Sequence, residues 1–103
     1  MKQGRAIRAY FGVQIQEINR TLALQLGLGN LKGGLIAGVI DASPAARAGL
    51  RAGDVILNFD GSMVRDARHL ITLIRRKRPG DSVVIRYFRN GRIAQTKATM
   101  DES

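Results

Sequence analysis

The dipeptide Asn90-Gly91 lies between two segments rich in strand-forming residues, near Val83–Arg89 and Arg92–Met100. Asn-Gly is strongly favoured in the two-residue turn that joins adjacent antiparallel strands. Small or apolar residues alternate with polar ones in the second segment, which predicts that one face is buried. The alternating residues are Ala94, Thr96, Ala98 and Met100, separated by Gln95, Lys97 and Thr99. The C-terminal part of the chain is therefore predicted to be an antiparallel hairpin.

Three earlier segments also have the patterns of strands. Tyr10–Ile18 alternates apolar and polar residues over most of its length, as expected of a strand with one buried face. Leu35–Ile40 is a second candidate strand. Val55–Phe59 is apolar almost throughout, which indicates a buried strand, and the tight turn Asp60-Gly61 follows it.

Two short helices are predicted between these strands. Asn19 is an N-cap residue for a helix that Gly27 ends. Ser43-Pro44 places a capping hydroxyl before proline at the first helical position, but Gly49 leaves barely one turn.

The longest predicted helix follows the capping residue Asp66 and runs to about Arg76, before the break at Pro79-Gly80. The residues of its core-facing stripe are Ala67, Leu70, Leu73 and Ile74. The predicted order is strand, short helix, strand, short helix, strand, long helix and hairpin. Because strands outnumber helices and the hairpin is antiparallel, we predict an α+β domain rather than a doubly wound sheet.

Composition excludes several kinds of site. The chain has 103 residues, enough for one domain, and no cysteine, so it has no disulfide, thiolate metal site or cysteine nucleophile. It has one histidine and neither a nucleophile-turn motif nor metal-ligand spacing, so catalysis, metals and cofactors are not expected. Four carboxylates lie at turns or caps, where they usually bind backbone N–H groups: Asp54, Asp60, Asp66 and Asp81.

The chain is basic, with 17 Lys and Arg against 8 Asp and Glu and a formal charge of +9. The cations are scattered except in the run Arg75–Arg78, which suits the C-terminal end of a helix. The alternative is a nucleic-acid or anionic-membrane binder that uses this run. Aromatic residues are few, so we expect no nucleic-acid partner, and no apolar run approaches the roughly 20 residues of a membrane span.

Two motifs carry a family resemblance. The first is the apolar–glycine–apolar turn Tyr10-Phe11-Gly12-Val13, and the second is the segment 43–56, SPAARAGLRAGDVI. With the Pro-Gly-Asp break and the final hairpin, they make residues 5–100 resemble the PDZ domains of bacterial HtrA-type (Deg) serine proteases. The resemblance implies a PDZ-like, partly open antiparallel β-barrel or sandwich. It would have two short helices and one longer groove helix, in the circularly permuted order of bacterial members.

The resemblance also implies boundaries and partners. Residues 1–9 would be a linker from a preceding protease domain, residues 10–100 the PDZ domain and residues 101–103 a tail. The domain itself would not be catalytic, and its parent would be a serine endopeptidase of the bacterial periplasm or cell envelope. The implied partners are the parent protease domain and C-terminal peptides of unfolded or signalling proteins. Another envelope protease or a secretion component is an alternative parent.

A PDZ domain binds a peptide C-terminus as an added antiparallel strand between a strand and a helix. The resemblance gives carboxylate binding to the loop Tyr10–Val13, through the backbone N–H groups of Phe11, Gly12 and Val13. The residues of the peptide-pairing strand would be Val13, Gln14, Ile15 and Gln16. Gly12 is expected to allow close approach and a positive φ, and a β-branched replacement is expected to abolish binding while leaving the fold largely intact.

An apolar pocket for the last peptide side chain would be lined by Phe11, Val13, Ile15, Ile71 and Ile74. Ile15 and Ile74 suit the core equally well. Three residues near Ile71 on the long helix either contact upstream peptide residues or face solvent: Arg68, Thr72 and Arg75. His69 is expected to face solvent.

Overall fold

The computed structural model describes residues 9–102; the predicted lead-in at residues 1–8 lies outside this part of the chain. The strands there are β1 (Ala9–Tyr10), β2 (Val13–Gln16), β3 (Gly34–Val39), β4 (Val55–Phe59), β5 (Ser62–Met63), β6 (Ser82–Arg89), β7 (Arg92–Thr99) and β8 (Asp101–Glu102). The helices are α1 (Arg20–Leu26), α2 (Pro44–Arg47) and α3 (Ala67–Arg75). The order of long elements matches the prediction.

Most strands form one open antiparallel sheet in the order β2-β3-β4-β6-β7, with β5 paired to β4. The sheet is not a closed barrel, and the fold is α+β and PDZ-like, as predicted. β2 lies at one edge of this sheet, so one of its sides has no neighbouring strand among residues 9–102. That position determines where another extended chain can pair.

A separate pair of short strands joins the two ends of the described chain. Ala9 and Tyr10 of β1 lie opposite Glu102 and Asp101 of β8. The sequence interpretation assigned Ala9 to the lead-in and the β8 residues to a tail. Two-residue strands are too short to show alternation, so only the tertiary pairing reveals them.

The final hairpin turns at Asn90 and Gly91, which have φ values of 50° and 79°, as a two-residue turn of the predicted type requires. Of the alternating residues in the final segment, Ala98 and Met100 are buried and Thr96 is half-buried, whereas Ala94 is exposed. The Thr96 hydroxyl donates a hydrogen bond to the carbonyl of Ala48 (2.7 Å), the residue that directly follows α2. The end of α2 therefore lies over β7 near Thr96.

Two apolar clusters hold helices on opposite faces of the sheet. The main cluster lies under α3 and includes Ile36, Ile56, Phe59, Leu70 and Ile85. The second cluster lies under α1 and contains Leu28, from the loop after α1, with the alternate sheet residues Leu35, Val55, Leu57 and Phe88. Because β3 and β4 supply side chains to both clusters, these strands fix the positions of α1 and α3 together.

All three helices begin at the predicted capping residue. Asn19 Oδ1 accepts a hydrogen bond from Leu22 N (2.8 Å), Ser43 Oγ from Ala46 N (3.1 Å) and Asp66 Oδ1 from His69 N (2.8 Å). The predicted α3 stripe is buried at Ala67, Leu70 and Leu73 and half-buried at Ile74. Within residues 9–102 no helix is long and apolar enough to span a bilayer.

Candidate functional site

A groove runs between β2 and α3, which lie side by side in opposite directions. At one end the Glu17 carboxylate Oε1 accepts a hydrogen bond from Ala67 N (2.8 Å), which ties the exit of β2 to the first residue of α3. At the other end Ile74 and Arg75, in the last turn of α3, lie beside the Tyr10–Val13 loop. We call these the Glu17 end and the loop end of the groove.

The loop end contains a cavity of about 240 Å³. Its lining residues are Tyr10, Phe11, Gly12, Val13, Ile15, Ile40, Ile71, Ile74 and Arg75. The structure thus brings together the predicted loop and all five predicted pocket residues. Small-molecule sites usually have volumes of about 300–1,000 Å³, so this mainly apolar cavity has a size better suited to one or two side chains.

The backbone of Val13 faces the groove rather than the sheet. Val13 lies opposite Val39, and Ile40 N donates to the Gly12 carbonyl at 2.9 Å. A bond between the residues that flank a facing pair identifies a non-hydrogen-bonded pair in an antiparallel ladder. The N–H and C=O groups of Val13 therefore point away from β3.

The same is true of Ile15, which lies opposite Ile36. Ile36 uses its N–H for the Asp54 carbonyl and its C=O for Gly53 N, both at 2.8 Å, so its polar backbone groups face β4. Ile15 cannot share them, and its own N–H and C=O point outward from the edge. β2 therefore presents unpaired backbone groups at Val13 and at Ile15, the pattern to which another strand can be added.

In the loop before β2, the carbonyl groups of Phe11 and Gly12 accept internal hydrogen bonds, whereas their N–H groups have no acceptor among the described residues. The Phe11 carbonyl accepts from Ala45 N (3.0 Å) and the Gly12 carbonyl from Ile40 N. Within residues 9–102 neither the Phe11 N–H nor the Gly12 N–H has a hydrogen-bond acceptor. With the outward N–H of Val13, three consecutive donors lie at the loop end. Successive N–H groups of this kind can bind an anion.

Gly12 has the expected positive φ, 87°, but the predicted tolerance of substitution is contradicted. A Cβ at this position would lie 2.1 Å from Ser43 Cβ and 2.6 Å from Ser43 Oγ. Ser43 caps α2 and is buried, so it has little room to move. A β-branched replacement is therefore expected to disturb the fold as well as the loop.

The pocket residues differ in how much they also serve the core. Phe11 is only 2% exposed and packs edge-to-face on Phe59, with ring centroids 5.6 Å apart, so it is a core residue that also lines the cavity. Ile71 is 36% exposed and lies off the buried stripe of α3. Val13, Ile15 and Ile74 are half-buried and pack against the main cluster. Ile40 was missed, because it follows the end of β3 and only its tertiary position beside Gly12 brings it to the cavity.

The three predicted upstream contacts are separated by the structure. Arg75 lines the cavity at the loop end, whereas Arg68 and Thr72 do not line it. The Thr72 hydroxyl donates to the Arg68 carbonyl within α3 (3.1 Å). His69 is half-buried, and its Nδ1 accepts a hydrogen bond from Arg65 N (3.0 Å) at an exposed position, so it faces solvent only in part.

The four cations of the run Arg75–Arg78 have different surroundings. Arg75 lines the cavity, while the Lys77 ammonium forms an ion pair with Asp60. Arg78 N donates to Asp81 Oδ2 (2.8 Å), so Asp81 serves the turn as predicted. Within residues 9–102, Lys77 is thus the member of this run whose charge is paired in a salt bridge.

A larger cavity of about 520 Å³ includes the charged residues Arg51, Asp54 and Arg89 in its lining. Asp54 Oδ2 accepts from Arg51 N (2.9 Å), as predicted for a turn, and both of its oxygens also accept from the Arg89 guanidinium (2.7 and 2.6 Å). This hydrogen-bonded pairing with Asp54 raises the pKa of Arg89 above its usual value. Asp54 and Arg89 neutralise each other, whereas the smaller apolar cavity contains all five predicted pocket residues, so we assign the candidate functional site to the smaller cavity.

Comparison with known proteins agrees with this geometry. The model of the PDZ domain family matches residues 9–100. A probable periplasmic serine endoprotease, DegP-like, from Brucella suis biovar 1 (strain 1330) is 35% identical over 100 residues, which are 97% of this chain and 20% of that protein. Its counterpart from Halomonas elongata is 39% identical over 99 residues, 96% of this chain and 21% of the relative. The chain therefore spans about one fifth of the length of these relatives.

Solved structures of HtrA-type proteins are also similar to this chain. The HtrA-type protease AlgW with a decapeptide superposes with a TM-score of 0.84 at 38% identity, covering 94% of this chain and 30% of that one. The HtrA3 PDZ domain bound to a phage-derived ligand superposes with a TM-score of 0.78 at 19% identity, over 95% of this chain and 90% of that domain, and shows the shared fold.

Proposed function

This chain belongs to the PDZ domain family, and we propose that it binds the free C-terminus of extended peptides in the groove between β2 and α3. The observation that carries the proposal is the juxtaposition at the loop end. The short stretch Tyr10–Ile15 supplies three N–H donors and the outward-facing edge of β2, and it forms one side of the apolar cavity.

The peptide pairs with β2 as an additional antiparallel strand, through the outward backbone groups of Val13 and Ile15. Its terminal carboxylate accepts hydrogen bonds from the N–H groups of Phe11, Gly12 and Val13. Because the acceptor is ionised, these bonds are stronger than those between neutral groups. Its last side chain enters the cavity beside Ile71, which favours an apolar residue at that position.

The role in a larger protein follows from the relatives. They are named periplasmic serine endoproteases, and this chain matches only their PDZ portion. The domain itself is not the catalytic part of such a protein. We place it in the periplasm, where it recognises substrates or activates a protease domain when a peptide binds. The AlgW structure, solved with a decapeptide, is consistent with a peptide ligand.

The first test is a pair of peptides that differ only at the C-terminus. Peptides of ten residues with three apolar residues at the end are screened, and the best is made as the free acid and as the amide. We expect the acid to bind with a Kd of about 1 μM, near −8 kcal/mol. The amide should bind at least about tenfold more weakly, since a hydrogen bond to a charged group contributes about 1.5–3 kcal/mol. Isothermal titration calorimetry measures both, and equal affinities would overturn carboxylate recognition.

A pair of surface substitutions tests the location of the groove. Ile71→Ser should weaken binding of the acid peptide, because it removes an apolar wall of the cavity. Ile93→Ser is the matched control, since Ile93 is similarly exposed (47%) but lies on β7, away from the cavity lining. Equal effects of the two substitutions would place the binding site elsewhere.

A further inference from the structure

Among residues 9–102, Arg75 is the only charged side chain that lines the loop-end cavity. Within residues 9–102 its guanidinium takes part in no salt bridge, in contrast to Arg47, Lys77 and Arg89. It is exposed, in the last turn of α3. A long cationic side chain at the rim of an apolar cavity can keep its head group in water or place it on an anion bound there.

The direction of α3 decides which part of a peptide Arg75 meets. Ala67, at the start of α3, is bonded to Glu17 at the far end of β2, so Arg75 lies beside the Tyr10–Val13 loop. An added antiparallel strand runs opposite to β2, and its C-terminus therefore lies at the loop end. Arg75 is thus placed near the peptide's last residue rather than near the upstream residues predicted from sequence.

None of the carboxylates within residues 9–102 forms a salt bridge with Arg75. The Glu17 and Asp66 carboxylates lie at the Glu17 end and bind N–H groups at the start of α3. Asp60 is paired with Lys77. An ionised carboxylate has about four acceptor sites, and the three loop N–H groups occupy at most three of them. One site remains for a further donor, and the guanidinium supplies N–H donors in a planar fork.

We propose that Arg75 contacts the terminal carboxylate of the bound peptide and is a specificity-determining residue for a charged chain end. The inference rests on the function proposed above. The loop amides supply fixed, neutral donors and Arg75 supplies a cation, so the site distinguishes an ionised carboxylate from an amide by charge as well as by hydrogen bonding.

The test is a two-by-two comparison of wild type and Arg75→Gln with acid and amide forms of a peptide that lacks Asp and Glu. Arg75→Gln should weaken binding of the acid by about two- to fivefold, the range expected for an exposed ion pair, and leave binding of the amide unchanged. Arg75→Lys should keep part of the difference. Arg76→Gln is the matched control, because it removes the same charge from the adjacent exposed position, which does not line the cavity.

The salt dependence of binding is a second measurement, and it would not change in Arg75→Gln if Arg75 had only a structural role. Raising the ionic strength from about 0.01 M to 0.15 M shortens the Debye length from about 30 Å to about 8 Å. The acid-to-amide affinity ratio should fall with salt in wild type and fall less in Arg75→Gln.

The outcomes separate the two proposals. If wild type binds acid and amide equally, the proposed function fails. If wild type prefers the acid and Arg75→Gln prefers it to the same extent, the proposed function stands and the assignment of Arg75 is overturned. A loss that is equal for acid and amide would show that Arg75 acts on the pocket or the fold, and it would also overturn the assignment.

Discussion

Gly12 is constrained in two independent ways. Its φ of 87° lies in a region that side chains with a Cβ rarely adopt, and Ser43 fills the space where a Cβ would project. The first constraint sets the direction of the loop N–H groups, and the second holds the loop against the N-terminus of α2. Packing against α2 therefore fixes the position of the loop in the unliganded domain.

Comparing two glycines separates these constraints. Gly49 has nearly the same φ, 86°, but nothing lies within 4 Å of a Cβ built on it. Gly49→Ala should cost about 1–2 kcal/mol, the penalty of a left-handed conformation. Gly12→Ala should cost clearly more, because the contact with Ser43 is added. Urea denaturation gives the free energy of unfolding of each variant.

Rescue of the contact makes the comparison decisive. The double variant Gly12→Ala with Ser43→Gly removes the clashing atoms of Ser43. Its loss in the free energy of unfolding should then approach the sum of two effects, the backbone strain at position 12 and the loss of the α2 cap at position 43. If Gly12→Ala and Gly49→Ala cost the same, the close contact with Ser43 does not constrain the loop.

At the scale of elements, local signals in the sequence predicted what local chemistry determines. Each capping side chain bonds within three residues of its own position, and the Asn90-Gly91 turn needs only its own dihedral angles. Interactions between distant segments were not predictable in this way. The bidentate pair of Asp54 and Arg89 joins the start of β4 to the end of β6, and no sequence spacing indicates it.

That pair should contribute more to stability than the exposed ion pair of Arg47 with Asp101. The Asp54 side chain is 2% exposed, whereas Arg47 and Asp101 are 54% and 44% exposed. Arg89→Ala leaves the Asp54 carboxylate buried without its partner and should lower the free energy of unfolding by about 3 kcal/mol. Arg47→Ala should lower it by less than about 1 kcal/mol.

Urea denaturation midpoints measure the difference between the two variants. The midpoint of Arg89→Lys should lie between those of wild type and Arg89→Ala, because lysine keeps the positive charge but lacks the planar arrangement of N–H donors. Similar losses for Arg89→Ala and Arg47→Ala would mean that burial of Asp54 has little influence on the strength of the pair.

For the molecule as a whole, the sequence motifs predicted the groove, but the strand order determines which backbone N–H and C=O groups face it. Whether β2 is an edge strand depends on long-range pairing between β3, β4 and β6, which no local pattern reveals. The outward direction of the Val13 and Ile15 backbone groups also depends on register. Residues such as Ile71 were found because they lie off the buried stripe of α3, whereas Ile40 reached the cavity only through the fold.

The central claim is that the backbone N–H groups of Phe11, Gly12 and Val13 bind the terminal carboxylate of a peptide. Nitrogen–proton correlation NMR, recorded while the acid peptide or its amide is added, observes these three groups directly. We expect the three resonances to move downfield with the acid and much less with the amide, and their exchange with solvent to slow. If the acid peptide binds while these three resonances stay unchanged, the claim is contradicted.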